Sequence, residues 1–338
     1  MSLELELQTL RTRVGLVENR HLEVFRVEGA RAFEAVDDAV PQRLFLQDAQ
    51  ITQTLLLADD ATIVADLQIA RDDEAFFLLC EARPGLSAEA LLRERLGTNE
   101  VTVQPLSATH AVWSVHGPWA WELLGEALGQ EIVGQPYLSL QHVAGVTCFR
   151  GGKTGEFGYD LLVPRAEVEP TITRLRELGV RYELGPLSLE ALDHAALENW
   201  FFSVRFDALW PYTPVELQLQ WRLWHEKHAY RGASAVAQQQ AGGAARRLTV
   251  LHADAPMVAQ APVMLEGERI GHVLRSARHS LGKGHVAWAM LDAPVAMAGL
   301  RVQAGDVAAR TVSPPTVQNE SLGIDPNKHS FRYGRRVG

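Results

Sequence analysis

Carboxylates set among apolar residues, and one glycine-rich turn, are the places where this sequence can do chemistry. Asp66 lies in the run Ala65-Asp66-Leu67, flanked by Ile63, Val64 and Ile69. A carboxylate there either faces water from an edge strand or is buried, and burial readies it for hydrogen bonding or proton transfer. Residues 151–160 (GGKTGEFGYD) place four glycines within eight positions, which permits positive φ angles and close approach of backbone to a ligand. The segment is no phosphate loop, because the GxxxxGK[ST] spacing is absent and a strand, not a helix, should follow. Glu156 and Asp160 are two acceptors that suit a flat heterocycle carrying N–H donors. An ordinary hairpin turn would use the same glycines. Glu198 ends a helix-prone run (GPLSLEALDHAALENW, 185–200), and by itself reads as a surface charge. None of the twelve histidines forms HExxH or another metal pair, so no metal ligand is assigned. No GxSxG elbow appears, and no GxGxxG follows a strand and opens a helix.

Elements that position these groups alternate through the first 235 residues. Residues 61–70 and 75–80 read as strands, β-branched or aromatic and short. Residues 87–96 read as a helix capped by Ser87 and stopped by Gly97, and 118–128 as another that begins at Pro118. Residues 143–149 and 159–163 read as a strand pair. Val168, Ile172, Leu175 and Leu178 share one helical face. The expected organisation is an α+β domain over 1–234, a linker over 235–246 (VAQQQAGGAA lacks bulk and charge), a small antiparallel barrel over 247–317, and a polar tail over 318–338 that either moves freely or docks on a partner.

Bulk properties narrow the class. The chain has 338 residues, 47% of them hydrophobic, and a formal net charge of -9, so it should be globular and not a nucleic-acid binder, which needs a basic face. Cys80 and Cys148 lie in apolar runs, with no disulfide or zinc pattern. The N-terminal MSLELELQTL carries no signal-like pattern, and 286–302 is interrupted by Asp292, Pro294 and Arg301. The expectation is a cytoplasmic protein with no membrane span.

Taken together and in order, six segments resemble the aminomethyltransferase (glycine-cleavage T-protein) family, with its folate-dependent methyltransferase and demethylase relatives. They are 56–71 (LLADDATIVADLQIAR), 115–120 (VHGPWA), 153–164 (KTGEFGYDLLVP), 193–199 (DHAALEN), 213–216 (TPVE) and 267–280 (GERIGHVLRSARHS). The third is the most specific. The resemblance implies a three-lobed cloverleaf of α+β type, two folate-binding lobes plus a C-terminal β-barrel, with tetrahydrofolate in a central channel. It implies Asp66 as the catalytic acid beside the reactive folate nitrogens and Asp160 as the carboxylate that grips the pterin, where the family usually has glutamate. Glu156 and Tyr159 would line the same wall, with Glu198 and Gln53 completing the cofactor-binding set. Departures lie in the same region: Leu192 and Ala196 stand where relatives often carry arginines, and Gln53 where a tyrosine often stands. They point away from a glycine-cleavage T-protein, which must also dock a lipoyl carrier, and toward transfer of a methyl or aminomethyl unit between folate and a small molecule. The alternative is a non-enzymatic folate-binding protein or scaffold like the iron–sulfur maintenance relatives. Their Lys-Gly-Cys-Tyr-x-Gly-Gln pattern is matched here by Lys227-His228-Ala229-Tyr230-Arg231-Gly232-Ala233, without the cysteine. The sequence leaves homo-oligomerisation open.

Overall fold

Alternation along the strands decides the architecture. The computed structural model describes residues 2–97, 100–207 and 210–335. In chain order, α1 (Leu3–Thr12) leads to β1 (Gly15–Glu18), β2 (Glu23–Glu28), α2 (Ala32–Ala39), β3 (Ile51–Leu57), β4 (Ile63–Asp72), β5 (Ala75–Ala82) and α3 (Ala88–Leu96). There follow β6 (Thr102–Pro105), β7 (His110–His116), α4 (Ala120–Ala127), β8 (Ser139–Val143), β9 (Val146–Arg150) and β10 (Gly158–Pro164). Next come α5 (Val168–Gly179), β11 (Gly185–Pro186), α6 (Leu189–Glu198), the single turn α7 (Val204–Asp207) and α8 (Ala233–Gly242). The C-terminal strands are β12 (Arg246–Ala253), β13 (Pro262–Leu265), β14 (Glu268–Arg278), β15 (His285–Asp292), β16 (Arg301–Ala304) and β17 (Val307–Val312). One sheet runs β3-β4-β5-β2-β6, a second runs β11-β1-β7-β10-β9-β8, and β12 to β17 close into a barrel.

Successive strand side chains point to opposite faces, and that parity separates core from site. On β4, Ala65, Leu67 and Ile69 pack outward against Val36 of α2 and Leu92 of α3. On β10, Tyr159, Leu161 and Val163 pack outward against Leu124 of α4 and Ile172 of α5. The inner faces meet each other: Ala70, Phe77 and Leu79 join Phe149 and Leu162 in one apolar cluster. Phe77 and Phe149 touch edge to face, with centroids 5.5 Å apart, a favoured aromatic geometry. Asp66 and Gln68 continue the inner face of the first sheet beyond this cluster, and Ser114 and Asp160 continue that of the second. The two α+β lobes therefore share an interface that is apolar at one end and polar at the other.

The barrel attaches as a third lobe. Val250, Val286, Trp288 and Met290 share a buried cluster with Leu197, Phe202, Val204 and Leu217. Trp288 Nε1 also donates to the Leu197 carbonyl at 3.0 Å. The α+β cloverleaf with a barrel is thus the observed fold. The Ser87 cap is present, accepting from the Ala90 amide at 3.2 Å.

Two stretches differ from expectation. The segment expected as a surface linker is largely the helix α8, anchored by the buried Ala233 and Val236. Alanine and glutamine are good helix formers, so lack of bulk did not mean lack of structure. The polar tail, expected either to move freely or to dock on a partner, folds onto its own chain. The Ser321 amide and hydroxyl donate to Glu156, and Ser330 and the Phe331 amide donate to Glu122. Phe331 packs beside Trp119 and Tyr182. Residues 336–338 lie outside the described residues. No helix among the described residues is long and apolar enough to cross a membrane.

Candidate functional site

The polar end of the inter-sheet space is a cavity. Asn19 and His21 reach it from the β1–β2 connection, Gln68 and Glu81 from the first sheet, and His116 and Asp160 from the second. Gly152, Lys153 and Thr154 form its floor, and Leu192, Asp193, Ala196, Ser203 and Arg205 its far wall. The glycines of 151–158 fit this reading. Gly152 has φ +104, and a Cβ there would stand 3.1 Å from the His116 ring. Gly155 has φ +79, and a Cβ there would overlap Asn199 and Asn319. The loop therefore needs glycine both for its backbone and for its neighbours.

Asp160 is buried and accepts a hydrogen bond from the Ser114 hydroxyl. Burial raises its pKa above the usual aspartate value, against the lowering effect of that bond. Asn19 Nδ2 donates to the same hydroxyl at 2.9 Å. Beside this group runs a chain of charges. His21 Nε2 lies 3.4 Å from Glu81, Glu81 is 2.7 Å from the Lys153 ammonium, and that ammonium is 2.8 Å from Asp66. The other Asp66 oxygen accepts from Arg222 at 2.5 Å. Burial opposes the Lys153 charge, but Asp66 and Glu81 outweigh it and hold its pKa above the ordinary lysine value. Burial likewise opposes the Glu81 carboxylate, and Lys153 with His21 holds it well below the usual range. Burial pushes His116 down to about 4, so near neutrality it is an uncharged imidazole.

Several lining atoms are buried yet have no hydrogen-bond partner among the described residues: Asn19 Oδ1, His21 Nδ1, Gln68 Oε1, His116 Nδ1, Thr154 Oγ1, and Nε and Nη1 of Arg205. A buried polar atom left unsatisfied costs about 1–3 kcal/mol, and such atoms converging on one cavity mark it as built to receive a polar molecule. Acceptors lie beside donors, as a planar heterocycle with both kinds of edge requires. Among the described residues no cluster of three His, Cys, Asp or Glu could hold a metal.

The six residues singled out from the sequence fall into three groups. Asp160 lines the cavity. Asp66 and Gln53 lie on the inner face just behind it: Asp66 is 3% exposed and capped by Lys153 and Arg222, and Gln53 sits opposite Gln68 in the β3–β4 register. β4 is an interior strand, so the solvent-facing alternative for Asp66 does not hold. Glu156, Tyr159 and Glu198 do not line the cavity. Tyr159 has the opposite parity to Asp160 and belongs to the outer core. Glu156 binds Ser321 and the Glu320 amide. Glu198 is fully buried, 2.8 Å from Arg11, and accepts from the Ser280 amide and hydroxyl. Burial opposes its charge, yet His194, Arg11 and Ser280 bring its pKa down to about 2. It joins α1, α6 and the barrel, which is an architectural task.

Sequence reasoning passed over Lys153, Glu81, His116 and Arg222. Lys153 stood inside the glycine-rich segment, and its type was the only signal. Glu81 is the register partner of Asp66 across β4 and β5, which becomes visible only once the pairing is known.

Fold and site together define a protein with a cavity between two α+β lobes, lined by buried polar atoms. The chain belongs to the GCVT family: the model of the GCVT N-terminal domain matches residues 2–227. An aminomethyltransferase of Chlorobaculum parvum is 29% identical over 69% of this chain and 66% of its own length. One from a Picosynechococcus species is 28% identical over 80% of this chain and 76% of its own. This chain thus spans about two thirds to three quarters of those two relatives. The crystal structure of the glycine cleavage system aminomethyltransferase T from Bartonella henselae superposes with a TM-score of 0.83 at 25% identity, covering 94% of this chain and 90% of that one.

Proposed function

We propose that this chain carries out folate-dependent one-carbon transfer, with tetrahydrofolate bound in the inter-sheet cavity. It is a transferase of the aminomethyltransferase class. The finer reading is a methyltransferase or demethylase that moves one carbon between folate and a small molecule. The observation that carries this reading is Asp160, a buried carboxylate aimed into a cavity full of unsatisfied polar atoms, on a GCVT fold.

When bound, tetrahydrofolate supplies the nitrogen that accepts or donates the one-carbon unit. The residues present fit it. Asp160 would hold the pterin amino and ring N–H groups, with Asn19 Oδ1 and Gln68 Oε1 as further acceptors. The neutral His116 and Thr154 supply groups able to donate or accept. Alignment of the reacting groups in such a cavity is itself worth several kcal/mol in transfer reactions. Asp66, with one cation on each oxygen, acts on the cavity through Lys153, whose ammonium it fixes in place. Leu192 and Ala196 shape the far wall without charge.

The test is product formation. The chain is incubated with tetrahydrofolate and small N-, O- or S-methyl and aminomethyl compounds, and the folates are analysed by mass spectrometry. A one-carbon-substituted folate should appear with at least one compound and be strongly reduced by Asp160→Asn. Binding of folate with no product from any compound would favour the scaffold alternative.

A further inference from the structure

The cavity has charged donors that the folate reading does not use. Lys153 donates to Glu81 at 2.7 Å and its ammonium lies 2.8 Å from Asp66. Arg205 gives Nη2 to Asp193 at 2.5 Å, while its Nε and Nη1 are buried without an acceptor among the described residues. Both side chains line the same cavity. They also belong to one end of it, because α7, which carries Arg205, packs against β4 and β5, the strands of Asp66 and Glu81 that grip Lys153. Of the cavity's carboxylates, Glu81 is engaged by Lys153 and His21 and Asp193 by Arg205 and the Ser203 hydroxyl, while Asp160 accepts from the Ser114 hydroxyl. Charged donors with no acceptor in a partly desolvated pocket are expensive, and an anion with two oxygens removes that cost. No Phe, Tyr or Trp side chain lines the cavity among the described residues, so nothing there offers a cation–π cage to a quaternary ammonium.

We propose that Lys153 and Arg205 form a receiving site for a carboxylate in the same cavity as Asp160. Resting on the one-carbon reading, this makes the bound molecule at that end an anion. The carboxylate belongs either to the one-carbon donor or acceptor, or to the glutamyl tail of folate.

Calorimetry on the full chain tests this with two probes of similar size and opposite charge, trimethylacetate and tetramethylammonium. Trimethylacetate should bind and tetramethylammonium should not. Arg205→Gln and Lys153→Met should each weaken trimethylacetate at least tenfold. Thermal melting confirms that each variant is folded, and Arg205→Gln, near the surface, decides the matter if Lys153→Met does not fold. Equal binding of both probes, or undiminished trimethylacetate binding in a folded Arg205→Gln, overturns the proposal. Tetrahydropterin, which lacks the tail, separates the readings. If it binds and trimethylacetate does not, the carboxylate site fails alone. If trimethylacetate binds and neither tetrahydropterin nor tetrahydrofolate does, the folate reading fails alone. Displacement of trimethylacetate by tetrahydrofolate but not by tetrahydropterin assigns the carboxylate to the tail, and simultaneous binding with tetrahydrofolate assigns it to the one-carbon partner.

Discussion

At the scale of single residues, strand parity did most of the sorting. Asp160 and Tyr159 are neighbours in a segment that drew attention as a whole, yet one faces the cavity and the other the outer core. Parity was readable from the sequence, but which parity faced inward was not, because both faces of β10 are buried. The same limit hid Glu81 and left open both the burial of Asp66 and its two cations. His116 gives a measurable consequence. Its pKa falls from 6.5 to about 4 on burial, so the unfolded chain takes up a proton below about 6.5 while the folded one does not. Stability contributed above that pH is lost as pH falls toward 4, by up to about 3 kcal/mol at 1.36 kcal/mol per unit. His116→Gln, which cannot titrate, should flatten the dependence of the urea midpoint between pH 7 and pH 4.5. An unchanged slope would remove His116 from the account.

At the scale of elements, helices and strands were legible because caps and periodicity are local signals. What the segments 235–246 and 318–338 do was not, because docking depends on partners far away in sequence. The C-terminal arm is the clearest case. Arg11 donates to the Thr154 carbonyl at 2.7 Å and to Asn319 at 2.9 Å, and Ser321 serves Glu156 while its hydroxyl accepts from the Phe157 amide. The arm thereby buttresses the glycine loop that carries Lys153 and leads into β10, the strand of Asp160. Burial already raises the Glu156 pKa against the Ser321 hydrogen bonds. Ser321→Ala withdraws one of those donors from a buried carboxylate, and should cost about 1–3 kcal/mol in urea denaturation. A loss below a few tenths of a kcal/mol would show that the arm is ornamental to the loop.

At the scale of the whole molecule, two α+β lobes meet around the cavity, and the barrel packs on them through the cluster that includes Leu197, Phe202 and Val204. Trp288 is its anchor, buried against Leu197 and tilted against Trp200 with ring centroids 5.0 Å apart. Trp288→Ala should cost about 3–5 kcal/mol, as large aromatic truncations in cores do. It should also split the unfolding curve into two steps as the barrel releases from the lobes; a single transition at the original midpoint would contradict this docking. The overall class was legible because six spaced segments preserve the fold's fixed points. The division of labour between Asp66, Lys153 and Asp160 required the packed molecule.

The central claim is that the cavity between the lobes binds tetrahydrofolate through Asp160. Titration calorimetry of tetrahydrofolate into the full chain, alongside Asp160→Asn, addresses it directly. Saturable binding at one site per chain is the predicted result, weakened about tenfold or more in the variant, since hydrogen bonds to a charged group are worth about 1.5–3 kcal/mol. A folded chain that takes up no tetrahydrofolate, or a folded variant that binds it as tightly as the parent, would contradict the account.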